Sequence, residues 1–155
     1  MEFILDKGMK EGTAPCAFCR LREESPGEKS LILYRGKSSY IVMNRFPYAN
    51  GHLLICSDKH SAEIGDLTPA AQQETMQLVD ASMRILRNVL QAEGFNCGLN
   101  FGRVAGAGIL DHFHFHVVPR WNGDINFLPI LSDTKCMPEY LETTYNKLKG
   151  EFEKI

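Results

Sequence analysis

Short apolar runs follow one another early in the chain. After the polar stretch "REESPGEKS", punctuated by Pro26 and Gly27, come "LILY", "SSYIVMNR" and "HLLICS". They are rich in β-branched and aromatic residues, and "RGK" and "FPYANG" separate them, so the pattern predicts antiparallel strands in a meander. Further on, "TPAAQQETMQLVDASMRILRNVLQAEG" changes period. Met76, Val79, Met83, Leu86 and Leu90 recur at three and four residues, which gives a helix one apolar face. Thr68 suits its N-cap, Pro69 its first turn, and Gly94 follows its end. "NCGLNFG" and "HFHFHVVP" read as two more strands joined by the glycine-rich "GRVAGAGI", and a final helix is expected from about Pro138 through "EYLETTYNKLKGEFEK". The sum is an α+β domain: about five antiparallel strands with one long packed helix and a C-terminal helix.

Composition changes this picture little. A length of 155 residues with 44% hydrophobic and 23% charged positions fits one domain over residues 1–155. A net charge of −2 supplies no global basic field, so long nucleic acid and anionic membrane are not expected as partners, whereas a small anion held by local groups is. No apolar run reaches the 18 or so residues of a membrane span and the start "MEFILDKGMKEG" is polar, which makes the cytoplasm the expected location. The five cysteines are Cys16, Cys19, Cys56, Cys97 and Cys136; an odd count without a secretion signal argues against a disulfide framework.

The histidines change it more. Three of the five fall in "DHFHFHVVPRW", and the other two, His52 and His60, share "NGHLLICSDKH". On a strand, alternate side chains share a face, so His112, His114 and His116 point one way while Phe113, Phe115 and Val117 point into the core. Strand propensity gives no reason to repeat histidine. Three chemistries do: a metal held by imidazoles, an imidazole nucleophile flanked by groups that bind the substrate's charge, and a proton-relay pair. The glycine-rich loop just upstream can bring backbone N–H groups close to an oxyanion, which beside a histidine row suggests phosphate. "CAFC" supplies two of the four ligands that tetrahedral zinc requires, and the spacing alone leaves zinc, redox and chance open.

These segments resemble the histidine triad (HIT) family. "HFHFHVV" is similar to its His-x-His-x-His row, and "CAFC", "MNRFPYANGHLLI", "DKH", "NFGRVAGAG" and "PRWNGDINFLP" follow in family order over roughly residues 14 to 130. "AGAG", "PRW" and "GDINF" look most like the diadenosine tetraphosphate phosphorylase and hydrolase branch. The resemblance implies a HIT-like fold and a nucleotide substrate attacked at its α-phosphorus by the middle histidine, His114, with His116 as a second catalytic residue that contacts the phosphate and assists the leaving group. It implies that Asn44 holds ribose hydroxyls and that Asn100, Gly106 and Gly108 surround the phosphates. It implies a closed, structural zinc on Cys16, Cys19, His60 and His112, and a homodimer with a shared sheet. Where many members carry Gln and Ser or Thr before the triad, this chain has Gly108 and Ile109, so a hydroxyl contact is absent or passes to backbone N–H groups or Arg103. His52 is expected to be conformational, its ring held by a backbone partner. The competing readings are a catalytic metal on all three triad histidines, a nucleoside phosphoramidate hydrolase, a non-catalytic nucleotide sensor, and a redox role for "CAFC".

Overall fold

The β-branched runs pair in chain order. In the computed structural model, which describes residues 16–124 and 137–155, β1 (Ile32–Arg35), β2 (Ser39–Met43) and β3 (Leu53–Ser57) form an antiparallel meander. β4 (Gly94–Gly98) and β5 (His114–Arg120) complete one antiparallel sheet in the order β1-β2-β3-β5-β4. The last strand is thus inserted beside β3, with His114 opposite Cys56 and His116 opposite Leu54.

The long helix α2 (Pro69–Leu90) starts as expected, with the Thr68 hydroxyl accepting from the Ala71 N–H at 3.2 Å. Its end differs. Gln91 takes the left-handed conformation at φ 54° and stops the helix, so Gly94 opens β4 instead of capping α2. The buried stripe is also rotated from the expected one: Thr75, Leu78, Val79, Ser82, Ile85 and Leu86 face the sheet, while Met76 is 55% exposed. Small polar residues explain this. The Thr75 hydroxyl donates back to the Ala71 carbonyl at 2.9 Å and meets the Ser39 hydroxyl at 3.2 Å, which lets the helix lie close to β2 with that hydroxyl satisfied, while the small Ser82 side chain is buried with its Oγ unpaired among the described residues.

The C-terminal helix α3 (Leu141–Phe152) begins three residues after Pro138, because Tyr140 still has extended backbone. It buries Tyr145, Leu148 and Phe152, and the Tyr145 hydroxyl donates to the Ile32 carbonyl at 3.1 Å. A short helix α1 (Ala17–Glu23) covers the opposite face of the sheet from α2. Tyr40 alternates with Ser39 along β2, and its hydroxyl donates to the Phe18 carbonyl at 2.8 Å. The triad face is therefore roofed by α1, not bathed in solvent. Among the described residues, no helix is long and apolar enough to cross a membrane. Cys136 and most of "GDINFLP" lie outside the described residues.

Candidate active site

Each of the three alternating histidines has a different set of partners. His112 is 1% exposed, and its Nε2–H donates to the Ser57 carbonyl at 2.7 Å, which leaves Nδ1 with a lone pair. His114 Nδ1–H donates to the His112 carbonyl at 2.8 Å, so its Nε2 is the basic atom. The Phe18 ring packs on both, 5.4 Å from His112 and 4.9 Å from His114 between centroids. Burial holds the His114 pKa below the ordinary histidine value, with the hydrogen bond to the His112 carbonyl acting against it. A neutral imidazole with a free Nε2 lone pair is what nucleophilic attack needs.

His116 stands beside His114 on β5, their rings 5.0 Å apart. Burial first, and the neighbouring His114 second, lower its pKa to about 4. Its Nδ1 sits 2.9 Å from His52 Nε2, and the Tyr48 ring stacks over it at 5.8 Å with 5° between planes. The Tyr48 N–H donates to His52 Nδ1 at 3.0 Å, which is the backbone partner expected for that ring. The contact from His52 to the triad was not expected. No sequence pattern signals it, because it depends on β3 pairing with β5.

The fourth histidine joins a separate group. Cys16, Cys19, His60 and His112 place one donor atom each within 4.8 Å of one another. His112 Nδ1 is 3.5 Å from Cys16 Sγ, 3.6 Å from Cys19 Sγ and 3.4 Å from His60 Nδ1, and His60 Nδ1 is 3.3 Å from Cys19 Sγ. A tetrahedral zinc with ordinary bond lengths has nitrogen–nitrogen edges of about 3.3 Å and nitrogen–sulfur edges of about 3.6 Å. Four of the six edges of this group thus match those of such an ion, and the donor types suit it. Among the described residues, only His112 of the three triad histidines joins this group, so a single metal shared by all three does not fit.

A cavity of about 170 Å³ opens beside His114, lined among others by Asn100, Phe101, Gly102, Ile109 and His112. Asn100 and His114 thus line one cavity. Gly106 and Gly108 lie on the exposed loop next to the cavity, not in its lining. Asn44 is on the other side: its Oδ1 accepts from the Phe46 N–H at 3.0 Å, and its Nδ2 is 3.3 Å from His52 Nδ1. Asp111 is exposed, and Trp121 Nε1–H donates to the Leu90 carbonyl at 3.1 Å, which ties its indole to the end of α2.

The five-stranded sheet with three imidazoles over one pair of strands defines a histidine triad protein, and the chain belongs to that family, the HIT domain matching residues 25–123. Over 125 residues it is 40% identical to the AP-4-A phosphorylase of Mycobacterium tuberculosis, a match taking in 81% of this chain and 64% of that protein. The chain thus spans less than two-thirds of that relative's length. It is 29% identical over 112 residues to the adenosine 5'-monophosphoramidase of Candida albicans, covering 69% of this chain and 71% of that protein. A crystal structure of a Zn-bound histidine triad family protein from Mycobacterium smegmatis superposes with a TM-score of 0.70 at 25% identity, covering 92% of this chain and 96% of that one.

Proposed function

We propose that this chain is a nucleotidyl hydrolase or transferase that cleaves a dinucleoside polyphosphate of the diadenosine tetraphosphate kind. One observation carries the reading: His114 donates through Nδ1 to the His112 carbonyl, so the Nε2 lone pair is free beside a cavity that also holds Asn100. Nε2 attacks the α-phosphorus, a P–N bond forms, and the P–O bond to the rest of the phosphate chain breaks. Water or inorganic phosphate then cleaves the nucleotidyl-histidine and returns His114 to its neutral state. His116 and Asn100 contact phosphoryl oxygens, backbone groups around Gly106 and Gly108 face the phosphate chain, and Asn44 contacts the ribose with whatever bonding capacity its amide retains. The 40% identity to a phosphorylase named for this substrate supports the choice.

Cys16, Cys19, His60 and His112 would hold a zinc ion as a structural cross-link. Four protein ligands leave no open position, so the ion supplies rigidity and not Lewis acidity. The zinc named in the Mycobacterium smegmatis relative supports this. The same reading includes a cytoplasmic homodimer that extends its sheet.

Chromatography of products after incubation with diadenosine tetraphosphate, with and without inorganic phosphate, tests it. ADP plus ATP formed only with phosphate marks a phosphorylase; AMP plus ATP without phosphate marks a hydrolase. An intact substrate under both conditions overturns the substrate, and adenosine phosphoramidate becomes the next one to assay, given the monophosphoramidase relative.

A further inference from the structure

We infer that His52 is a positioning residue that fixes His116 as a hydrogen-bond donor through Nε2, by way of a tautomer set by the backbone of Tyr48 and the amide of Asn44. The inference rests on the phosphate-directed role proposed above for His116.

The argument starts from a group that can act in one sense only. A backbone N–H donates and never accepts, and the Tyr48 N–H points at His52 Nδ1 from 3.0 Å. Nδ1 must therefore carry a lone pair. Asn44 agrees independently. Its Oδ1 is fixed as the oxygen because it accepts from the Phe46 N–H at 3.0 Å, so the atom 3.3 Å from His52 Nδ1 is the NH₂ donor. Two donors converge on one acceptor. A charged His52, with a proton on Nδ1, would face both of them and is excluded.

A neutral His52 then keeps its proton on Nε2, and that atom is 2.9 Å from His116 Nδ1. His116 Nδ1 must accept. Burial keeps His116 neutral at ordinary pH, so its one proton sits on Nε2. That Nε2 is buried and has no hydrogen-bond partner among the described residues. An orphaned donor inside a protein is costly, and such a cost at a functional site marks a group waiting for its ligand. Beside the nucleophile, the ligand is an acceptor: a phosphoryl oxygen of the substrate held against His114. No proton leaves His116 in this role. The Tyr48 ring stacks on His116 at 5.8 Å and meets His52 at a tilt of 40°, 4.7 Å between centroids, so it packs against both imidazoles.

The sequence makes this economical. Asn44, Tyr48 and His52 belong to one connection, "NRFPYANGH", whose ends are also joined by the Asn44 N–H donating to the His52 carbonyl at 2.9 Å. The loop is built around the ring it orients.

Two measurements on the full chain decide the matter. In the wild-type protein labelled with ¹⁵N-histidine, two-bond ¹⁵N–¹H correlations at neutral pH should show His52 and His116 both in the Nε2–H form. Either ring found as Nδ1–H, or His116 found doubly protonated, overturns the inference. In the second, His52→Leu should lower kcat on diadenosine tetraphosphate by on the order of 10- to 1,000-fold with KM little changed, the range set by a lost oxyanion donor or a wrong tautomer. His52→Gln, which keeps an amide donor and acceptor, should recover part of the loss. A folded His52→Leu enzyme with wild-type kcat overturns the inference; should that variant fail to fold, the wild-type spectrum still decides. The spectrum needs no substrate. Expected tautomers in a protein that leaves diadenosine tetraphosphate intact would therefore sink the proposed activity and not the relay.

Discussion

His112 and His114 are two residues apart on one chain, yet the structure separates their tasks by which ring nitrogen each commits. His112 gives Nε2 to the Ser57 carbonyl and aims Nδ1 at the cysteines; His114 gives Nδ1 to the His112 carbonyl and keeps Nε2. Substitutions should separate in the same way. His114→Ala should lower turnover by at least about a thousandfold while zinc content, measured by elemental analysis, stays at the wild-type level. His112→Ala or Cys16→Ala should lose zinc and thermal stability. Equal loss of metal in all three would count against the division. His116 sets a pH dependence of its own. Its folded pKa of about 4 lies below the unfolded value of about 6.5, so between these the unfolded chain binds a proton that the folded chain refuses. The contribution is complete above about pH 6.5, fades as pH falls, and is gone below about pH 4. It amounts to at most about 3 kcal/mol. Urea unfolding from about pH 7 to about pH 4 should show that decline, and His116→Gln should flatten it; an unchanged slope in the variant would assign the effect elsewhere.

At the scale of elements, the connection from β2 to β3 is held against α2 at one glycine. Gly51 has φ 73°, and a Cβ there would stand 2.5 Å from Leu90 Cδ1 and 3.1 Å from Leu86 Cδ2. Gly51→Ala combines left-handed strain with overpacking and should cost about 2–3 kcal/mol in denaturant unfolding. Gly27→Ala, with nothing within 4 Å of its added methyl, should be within about 0.5 kcal/mol of wild type. Equal effects would remove the close approach as the cause. The elements themselves were largely legible. Thr68 and Pro69 announce the start of α2 because capping is local chemistry, and the histidine row announces a strand because alternation is. The end of α2 was not legible, since Gln91 adopts a conformation that sequence assigns to glycine. Nor was its buried face, because Thr75 and Ser82 carry no hydrophobic signal and are buried through their bonds to neighbours or their small size. The metal group was open to reading only through family resemblance, and the His52–His116 contact not at all: it needs a register between strands about sixty residues apart.

At the scale of the molecule, the four-donor group ties α1 to two segments that the pairing of β3 with β5 already holds side by side. Cys16 and Cys19 lie at and within α1, His60 follows β3, and His112 leads into β5. Helix α1 is short, seven residues, and holds to the sheet by few other bonds: Tyr40 to the Phe18 carbonyl, Arg35 to the Leu21 and Glu24 carbonyls, and Arg22 to the Asp58 carbonyl. A helix of that length has little stability of its own. An ion bound by the group therefore acts mainly by closing α1 over the triad face, where Phe18 packs on His114. The core between the sheet and α2 and α3 does not pass through the site, so removing metal should loosen α1 without unfolding the domain. Zinc at about 100 times its dissociation constant contributes about 2.7 kcal/mol to the bound state. For a domain of this size, that raises Tm by roughly 5–10 °C over chelator-treated protein. Magnesium should give no such shift, since thiolate and imidazole donors disfavour it. A thermal unfolding series with zinc, magnesium and chelator checks this, with thiol titration alongside: Cys16 and Cys19 should react readily only after chelation. Thiols that react equally in all three conditions, with one Tm throughout, would show that the group binds no metal and that α1 is held by its hydrogen bonds and the packing of Phe18.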